Sequence, residues 1–405
     1  MKNRINIRAS RAEDVLGYVP HQLTFHPRES LVLLSMRGSS LGATLRLDLP
    51  EAGDDVRLAA FAETAVSYLR ADGDADGSLV VLYTDSPEGA DPTNPTSFAY
   101  WPLAVFLEDL LGAAGTPVRG AWVVGPDSFR CVQCRTSPCC PPQGHPKERI
   151  TESYVNLELM LLGSSVAATA GEAAILVRSG SLPDAAPAIR SRARDLAAGF
   201  DGQWEAGGVF MRLLGSWDEA ISSGDAEPGV LAVLLASLES HHVRDAVLVL
   251  ACLDPAAAYY GAAAHGRVDP LRPVPPELAA ALPFEGYLPG RSGPEPGADL
   301  FTDILLGSYE PPVDRERIAR ASELLALLHR MAEGAAKPAA GTMLAWLEWA
   351  QGRSSLAHEH LRTVLAESPD YRLAGLLESY FGLGTLPAWL RRPPGAAGQS
   401  PSAAA

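Results

Sequence analysis

The chain has 405 residues, with 48 Asp and Glu against 33 Lys and Arg, a net charge of −15. A surface that tracks phosphates needs an excess of cations, so this balance argues against nucleic acid as a partner. At 47% hydrophobic and 20% charged residues the composition is that of a globular protein, long enough for two or three domains.

The first eight residues carry charge without the apolar run of a signal peptide. The longest apolar stretches, 229–238 and 246–253, are divided by Glu239, His241, His242, Arg244 and Asp245, too short to span a bilayer. The expectation is a cytoplasmic protein with no membrane partner. There, clustered cysteines are thiols or metal ligands before they are disulfides.

Along the chain, Ser10 and Glu13 have capping-box spacing ahead of Val15, Leu16 and Val19, and Pro20 is expected to end that helix. Leu31–Leu34 is a continuous apolar run of strand length, as for a strand covered on both faces. Gly38 and Gly42 bracket a hairpin turn. The next strand alternates, with Leu45, Leu47 and Leu49 on one side and Arg46 and Asp48 on the other. Leu58, Phe61, Ala62, Ala65, Val66 and Leu69 have helical spacing, and Leu79–Leu82 is a third strand. A helix with Phe98, Trp101, Val105 and Phe106 follows, then a strand over 118–124 and a fifth that runs into the cysteines. This interleaving predicts an α/β domain with a mixed sheet over residues 1–150.

After Glu152 the pattern turns helical, giving a helical region over 151–268. A proline-rich connector follows over 269–296, then a second helical stretch over 297–391 and a small-residue tail over 392–405. Leu344, Ala345, Gly352, Ala357, Leu361 and Pro369 fall at tetratricopeptide (TPR) positions. One copy is found, so a TPR-like helical hairpin or an ordinary helix pair both fit.

Four of the five cysteines, Cys131, Cys134, Cys139 and Cys140, fall within ten residues, followed by Pro141, Pro142 and Gly144. Cys131 and Cys134 have knuckle spacing, and His145 adds a further donor for zinc. No second pair of that spacing exists, and adjacent cysteines diverge. A packed structural turn is the preferred reading, with zinc and redox chemistry as alternatives and no cofactor otherwise expected.

Val19-Pro20, Leu23, Phe25-His26-Pro27-Arg28-Glu29-Ser30-Leu31-Val32 and Arg46–Pro50 resemble the opening of an actinobacterial family catalogued as domain of unknown function 4192. The segment from Cys134 to Gly144, Val243-Arg244-Asp245, and the run from Trp346 to Trp389 are similar to the family's later segments, so the resemblance covers about residues 5–391. Cys131 lies outside that pattern. The resemblance implies an intracellular bacterial protein and no particular activity.

His26, Arg28, Glu29 and Ser30 directly precede a buried strand, Arg46 and Asp48 share a face of its neighbour, and Asp85 follows the third strand. These are the binding candidates. Arg46 would serve as an anion-binding fork, with Asp85 at the end of the sheet where α/β folds hold ligands. The bland alternative is a capped loop beside an Arg–Asp pair on an exposed strand face. His358 and His360 point to different sides of a helix and cannot share a metal. No phosphate loop, dinucleotide fingerprint or His-Glu-x-x-His occurs. The reading is a non-catalytic binding or scaffold protein with a protein partner. The alternative is an enzyme or small-ligand sensor using an anion pocket near His26, Arg46 and Asp48.

Overall fold

A computed structural model describes residues 9, 11–86, 98–132, 140–141, 143–199, 203–269, 272, 276 and 298–390. The chain divides into two compact units, one reaching to Ala173 and the other spanning Ala174–Leu390. No helix among the described residues is long and apolar enough to cross a membrane.

The first unit is built on a sheet of six strands: β1 (Ser30–Arg37), β2 (Ser40–Asp48), β3 (Gly77–Tyr83), β4 (Val118–Val124), β5 (Ser128–Cys131) and β6 (His145–Pro146). Their spatial order is β2-β1-β3-β4-β5-β6, with only β3 and β4 parallel. β2 and β3 both run antiparallel to β1 and therefore share a direction. The helix between them, α2 (Asp55–Leu69), crosses over β1, and α3 (Trp101–Ala113) joins β3 to β4 in the same manner.

Both crossover helices cover one face, packing on Leu31, Leu33, Val80, Leu82 and Val123. The other face, with Val32, Leu34, Leu79, Val81 and Val124, is covered by Leu16 and Val19 of α1 (Ala12–Leu23). β1 and β3 are thus buried on both sides, which is why they read as unbroken apolar runs. Leu45, Leu47 and Leu49 pack toward α2 and α3 as the alternation predicts, but only half-buried, because β2 is the edge strand.

Three local expectations are corrected. Asp14 turns back to accept from the Arg11 backbone N–H at 3.2 Å, while Glu13 instead meets Arg149; Ser10 lies outside the described residues. Pro20 sits inside α1, whose end comes at Thr24 in the left-handed conformation (φ 66°). The hairpin turn is Gly38-Ser39, and Gly42 lies within β2, where a Cβ would collide with Ser35 and Asp72.

Two short helices, α4 (Glu148–Thr151) and α5 (Tyr154–Leu161), pack against α1, and Phe25 bridges to Ala167. These contacts carry the unit beyond residue 150 to Ala173, within α6 (Ala170–Arg178).

The second unit is helical: α7 (Ala186–Gly199), α8 (Gly207–Ser223), α9 (Pro228–Ser237), α10 (His241–Cys252), α11 (Pro255–Ala264), α12 (Ala298–Leu306), α13 (Arg315–Met331), α14 (Ala336–Ala350), α15 (Ser354–Glu367) and α16 (Arg372–Gly382). One core runs through it, anchored by Phe210, Trp217, Phe301, Trp346 and Trp349. The indole N–H groups of Trp346, Trp349 and Trp389 each donate to a main-chain carbonyl, of Leu305, Thr385 and Ala350, at 2.8–3.0 Å, as buried tryptophan requires.

α14 and α15 form the expected hairpin. Gly352 turns it at φ 81°, Leu344, Ala357 and Leu361 are fully buried, and α15 ends before Pro369. Gly341 allows the close approach of Val364, which a Cβ there would strike. Apart from Asp269, Arg272 and Pro276, the 269–296 connector lies outside the described residues, as does the 392–405 tail.

Candidate functional site

Six of the seven binding candidates meet at one end of the sheet, where β1 starts and β2 and β3 finish: Ser30 pairs with Asp48 on one side and Tyr83 on the other. Glu29 enters β1 in the left-handed conformation (φ 40°), a posture a non-glycine residue holds only when its surroundings fix it. Those surroundings are visible. Its carbonyl accepts from Leu49 N–H at 2.9 Å, and its carboxylate accepts from the Asp85 N–H at 2.5 Å and the Thr84 hydroxyl at 3.2 Å.

Arg28 pairs with Asp85 at 2.5 Å. Ser30, fully buried, donates to the Arg28 carbonyl at 2.5 Å and accepts from Arg46 Nε at 2.9 Å. The rest of the Arg46 guanidinium pairs with Asp48 and lies 6.0 Å from the Phe25 ring centre. His26 does not join this network. It is exposed at the surface, and its pKa is lowered, first by partial desolvation of the ring and then by Lys147 and His21 nearby. The arrangement ties three strand ends together, and its charged groups find partners within the chain.

Sequence reasoning missed two members. Thr84 follows β3 directly, and Tyr100 donates to the Pro50 carbonyl at 3.1 Å with its pKa raised by burial and by the Glu29 and Glu51 carboxylates. It also missed a buried carboxylate at the opposite end of β1. Asp72 accepts from Ser35 Oγ at 2.5 Å and from Arg37, and these bonds hold its pKa down against the effect of burial. A signal existed in the small residues around it, Gly42 and Ser35, which leave room for a side chain to reach the strand.

Of the metal candidates, Cys134 and Cys139 lie outside the described residues. The buried Cys140 sulfur accepts from the Cys131 N–H at 3.4 Å. Among the described residues no group of three His, Cys, Asp or Glu side chains converges as a metal site would require. Cys131 lines a cleft of about 350 Å³ together with Arg11, Ala12, Glu13, Trp122, Phe129, His145 and Arg149. In it Arg149 donates to Glu13 at 2.7 Å and to His145 Nδ1 at 2.8 Å. An arginine only donates, so Nδ1 accepts and the imidazole carries its proton on Nε2. Glu13 and Arg149 are 136 positions apart, a distance at which no sequence pattern could have paired them.

In the helical unit, Arg244 and Asp245 form a half-buried pair at 2.8 Å, joined by Tyr371 at 2.9 Å and by Arg267 at 2.6 Å. His358 pairs with Glu378 at 3.2 Å while His360 is fully buried, so the two histidines do part.

A family model described as "Domain of unknown function (DUF4192)" matches residues 13–286 and 312–388. No curated protein and no solved structure matches the chain. The match spans most of the sequence, and the chain belongs to the DUF4192 family.

Proposed function

We propose that the protein is a cytoplasmic, non-catalytic binding or scaffold protein whose partner is another protein, taken on the outer face of α5. The observation that carries this reading is a patch of exposed apolar side chains on Tyr154–Leu162. Leu161 is 84% exposed and Tyr154 61%, with Leu157, Met160 and Leu162 each near half. Tyr154, Leu157 and Leu161 follow i, i+3, i+7 spacing on one face, while Val155 on the other is buried toward α1. Large apolar side chains gathered on a helix surface mark interaction sites. The TPR-like hairpin of α14 and α15, extended by α16, is the scaffold part of the same reading, and Leu376 and Leu383 are its exposed apolar residues. At the sheet end, Arg46 is occupied by Ser30 and Asp48, which supports a structural network there over an anion pocket.

A photo-cross-linking residue placed at Leu161 tests the proposal in cells that make the full chain. One discrete protein should be captured, and Leu157→Asp should abolish the capture. Cross-links confined to the same chain, or a capture that persists with Leu157→Asp, would overturn it.

A further inference from the structure

We propose that the helical unit binds a phosphate group, free or as a small monoester, between Arg178, Arg330 and Lys337 on one side of α15, a site separate from the α5 face. Arg178 closes α6, Arg330 lies in the last turn of α13 and Lys337 in the first turn of α14. All three are half-buried, yet each donates to neutral oxygen alone. Arg178 reaches the Thr363 hydroxyl and the Ala174 carbonyl at 3.1 Å, Arg330 the Val177 carbonyl at 3.4 Å, and Lys337 the His329 carbonyl at 2.9 Å. Among the described residues none of them forms an ion pair with a carboxylate. Cations drawn out of water without a counter-charge are unfavourable, and burial lowers the pKa of all three.

The donors converge on one side of α15. His360, Thr363 and Val364 follow i, i+3, i+4 spacing and share that side. Arg178 meets it at Thr363. The His329 ring meets it at Val364, since a Cβ on Gly341 would stand 2.6 Å from the Val364 methyl and 3.4 Å from His329 Nε2. The Arg330 guanidinium lies over Gly180, two positions beyond Arg178, where a Cβ would come within 2.9 Å of it. Arg178 is close enough to act on Lys337, His329 and His360 alike. A second observation points to a ligand: His360 is fully buried with both ring nitrogens unpaired among the described residues, and Arg330 Nε is buried and unpaired as well. The nearby acids sit at the rim. Glu333 pairs with Arg190, Glu359 with Arg362, and the exposed Glu367 only tempers Arg178 and Lys337. A carboxylate would neutralise one cation in one plane. A phosphate monoester brings about two negative charges and three acceptor oxygens, which suits donors arriving from three helices.

The test is calorimetric titration of the full chain at low ionic strength with inorganic phosphate and, separately, with methyl phosphate. One site per chain is expected. Arg178→Gln and Lys337→Gln should each weaken binding about tenfold or more, the loss of one charge-assisted hydrogen bond. Arg192→Gln, which removes an exposed arginine of α7, should stay within about twofold of wild type. Tighter binding of methyl phosphate assigns the site to monoesters and tighter binding of phosphate to the free ion; either upholds it. A readout that needs no variant is the urea midpoint of the wild-type chain, which phosphate should raise more than chloride of equal ionic strength does. Absence of both the binding heat and that excess, wild-type affinity in a folded Arg178→Gln variant, or an equal loss in Arg192→Gln would each overturn the assignment.

Discussion

Arg353 closes over the carboxylate of Glu348 from the far side of the Gly352 turn, engaging it through Nε and through Nη2, the latter at 3.0 Å. Glu348 is 2% exposed and lies in the last turns of α14, and among the described residues its side chain is relieved of burial by Arg353, at the start of α15. The ion pair thereby fixes the hairpin that ends the helical unit.

Arg353→Met should therefore destabilise the protein by about 3–5 kcal/mol, since removing one partner strands a buried charge. Glu348→Gln with Arg353→Met should recover part of that loss. Burial raises the Glu348 pKa even though Arg353 pulls it down, so the folded state holds this proton more tightly than the unfolded one. Stability contributed by this group consequently rises as pH falls, and the Arg353→Met deficit should shrink between pH 7 and pH 5. Urea unfolding at the two pH values decides it; a deficit that is equal at both would refute the account.

On α5 the two faces should behave oppositely. Leu157→Asp and Leu161→Asp replace exposed side chains and should change stability by no more than about 0.5 kcal/mol. Val155→Asp places a charge at a buried position and should cost more than about 3 kcal/mol. Thermal unfolding of the three variants measures this, and a large loss in Leu161→Asp would mean that the outer face is packed within the folded chain.

The layered α/β unit was legible because its cues are local. Leu31–Leu34 and Leu79–Leu82 carry the apolar runs of doubly covered strands, and Leu45, Leu47 and Leu49 carry the alternation of a strand covered on one face. The α14–α15 hairpin was legible for a similar reason, through Gly352 and the small residues at its crossing. What stayed hidden depends on separation in sequence. Asp72 lies 35 and 37 positions from its partners Arg37 and Ser35, and Arg149 lies 136 from Glu13. The gathering of Arg28, Glu29, Arg46 and Asp85 was foreseen as a set of polar residues at strand ends. The Arg46–Asp48 pair was foreseen from their shared strand face, whereas the pairing of Arg28 with Asp85 and of Glu29 with Thr84 and the Asp85 N–H, which leaves His26 outside, rests on rotamers that no spacing encodes.

Ser30 is the joint of that sheet-end network, and Ser30→Ala should show it. The change leaves the Arg28 carbonyl without its hydroxyl donor and takes one acceptor from Arg46. The expected cost is about 1–3 kcal/mol, the range for buried groups deprived of a hydrogen-bond partner. Asp48→Asn, which weakens an ion pair whose carboxylate is 81% exposed, should fall within about 1 kcal/mol of wild type. Equal effects from the two substitutions, measured by urea denaturation, would show that Ser30 has no such role.

The helical unit carries its own sensitivity to acid. His329 and His360 are buried, and His360 has neither ring nitrogen hydrogen-bonded among the described residues. Burial pushes both imidazoles down to about 3, with Lys337, Arg178 and Arg330 adding to the effect on His329, and Arg178, His329 and Arg353 on His360. In the unfolded chain each would titrate near the ordinary histidine value of about 6.5. Their contribution to stability is thus complete above that value and is lost as pH falls toward 3, because only the unfolded state takes up the protons. Each histidine steepens the decline by about 1.4 kcal/mol per pH unit once pH is well below 6.5. His360→Leu removes one of the two protons and sacrifices no hydrogen bond seen here. Its stability should fall less steeply than wild type between pH 6 and pH 5, by a difference approaching one bound proton. Urea midpoints across that interval supply the measurement, and parallel pH profiles for the two proteins would refute the neutral, buried state of His360.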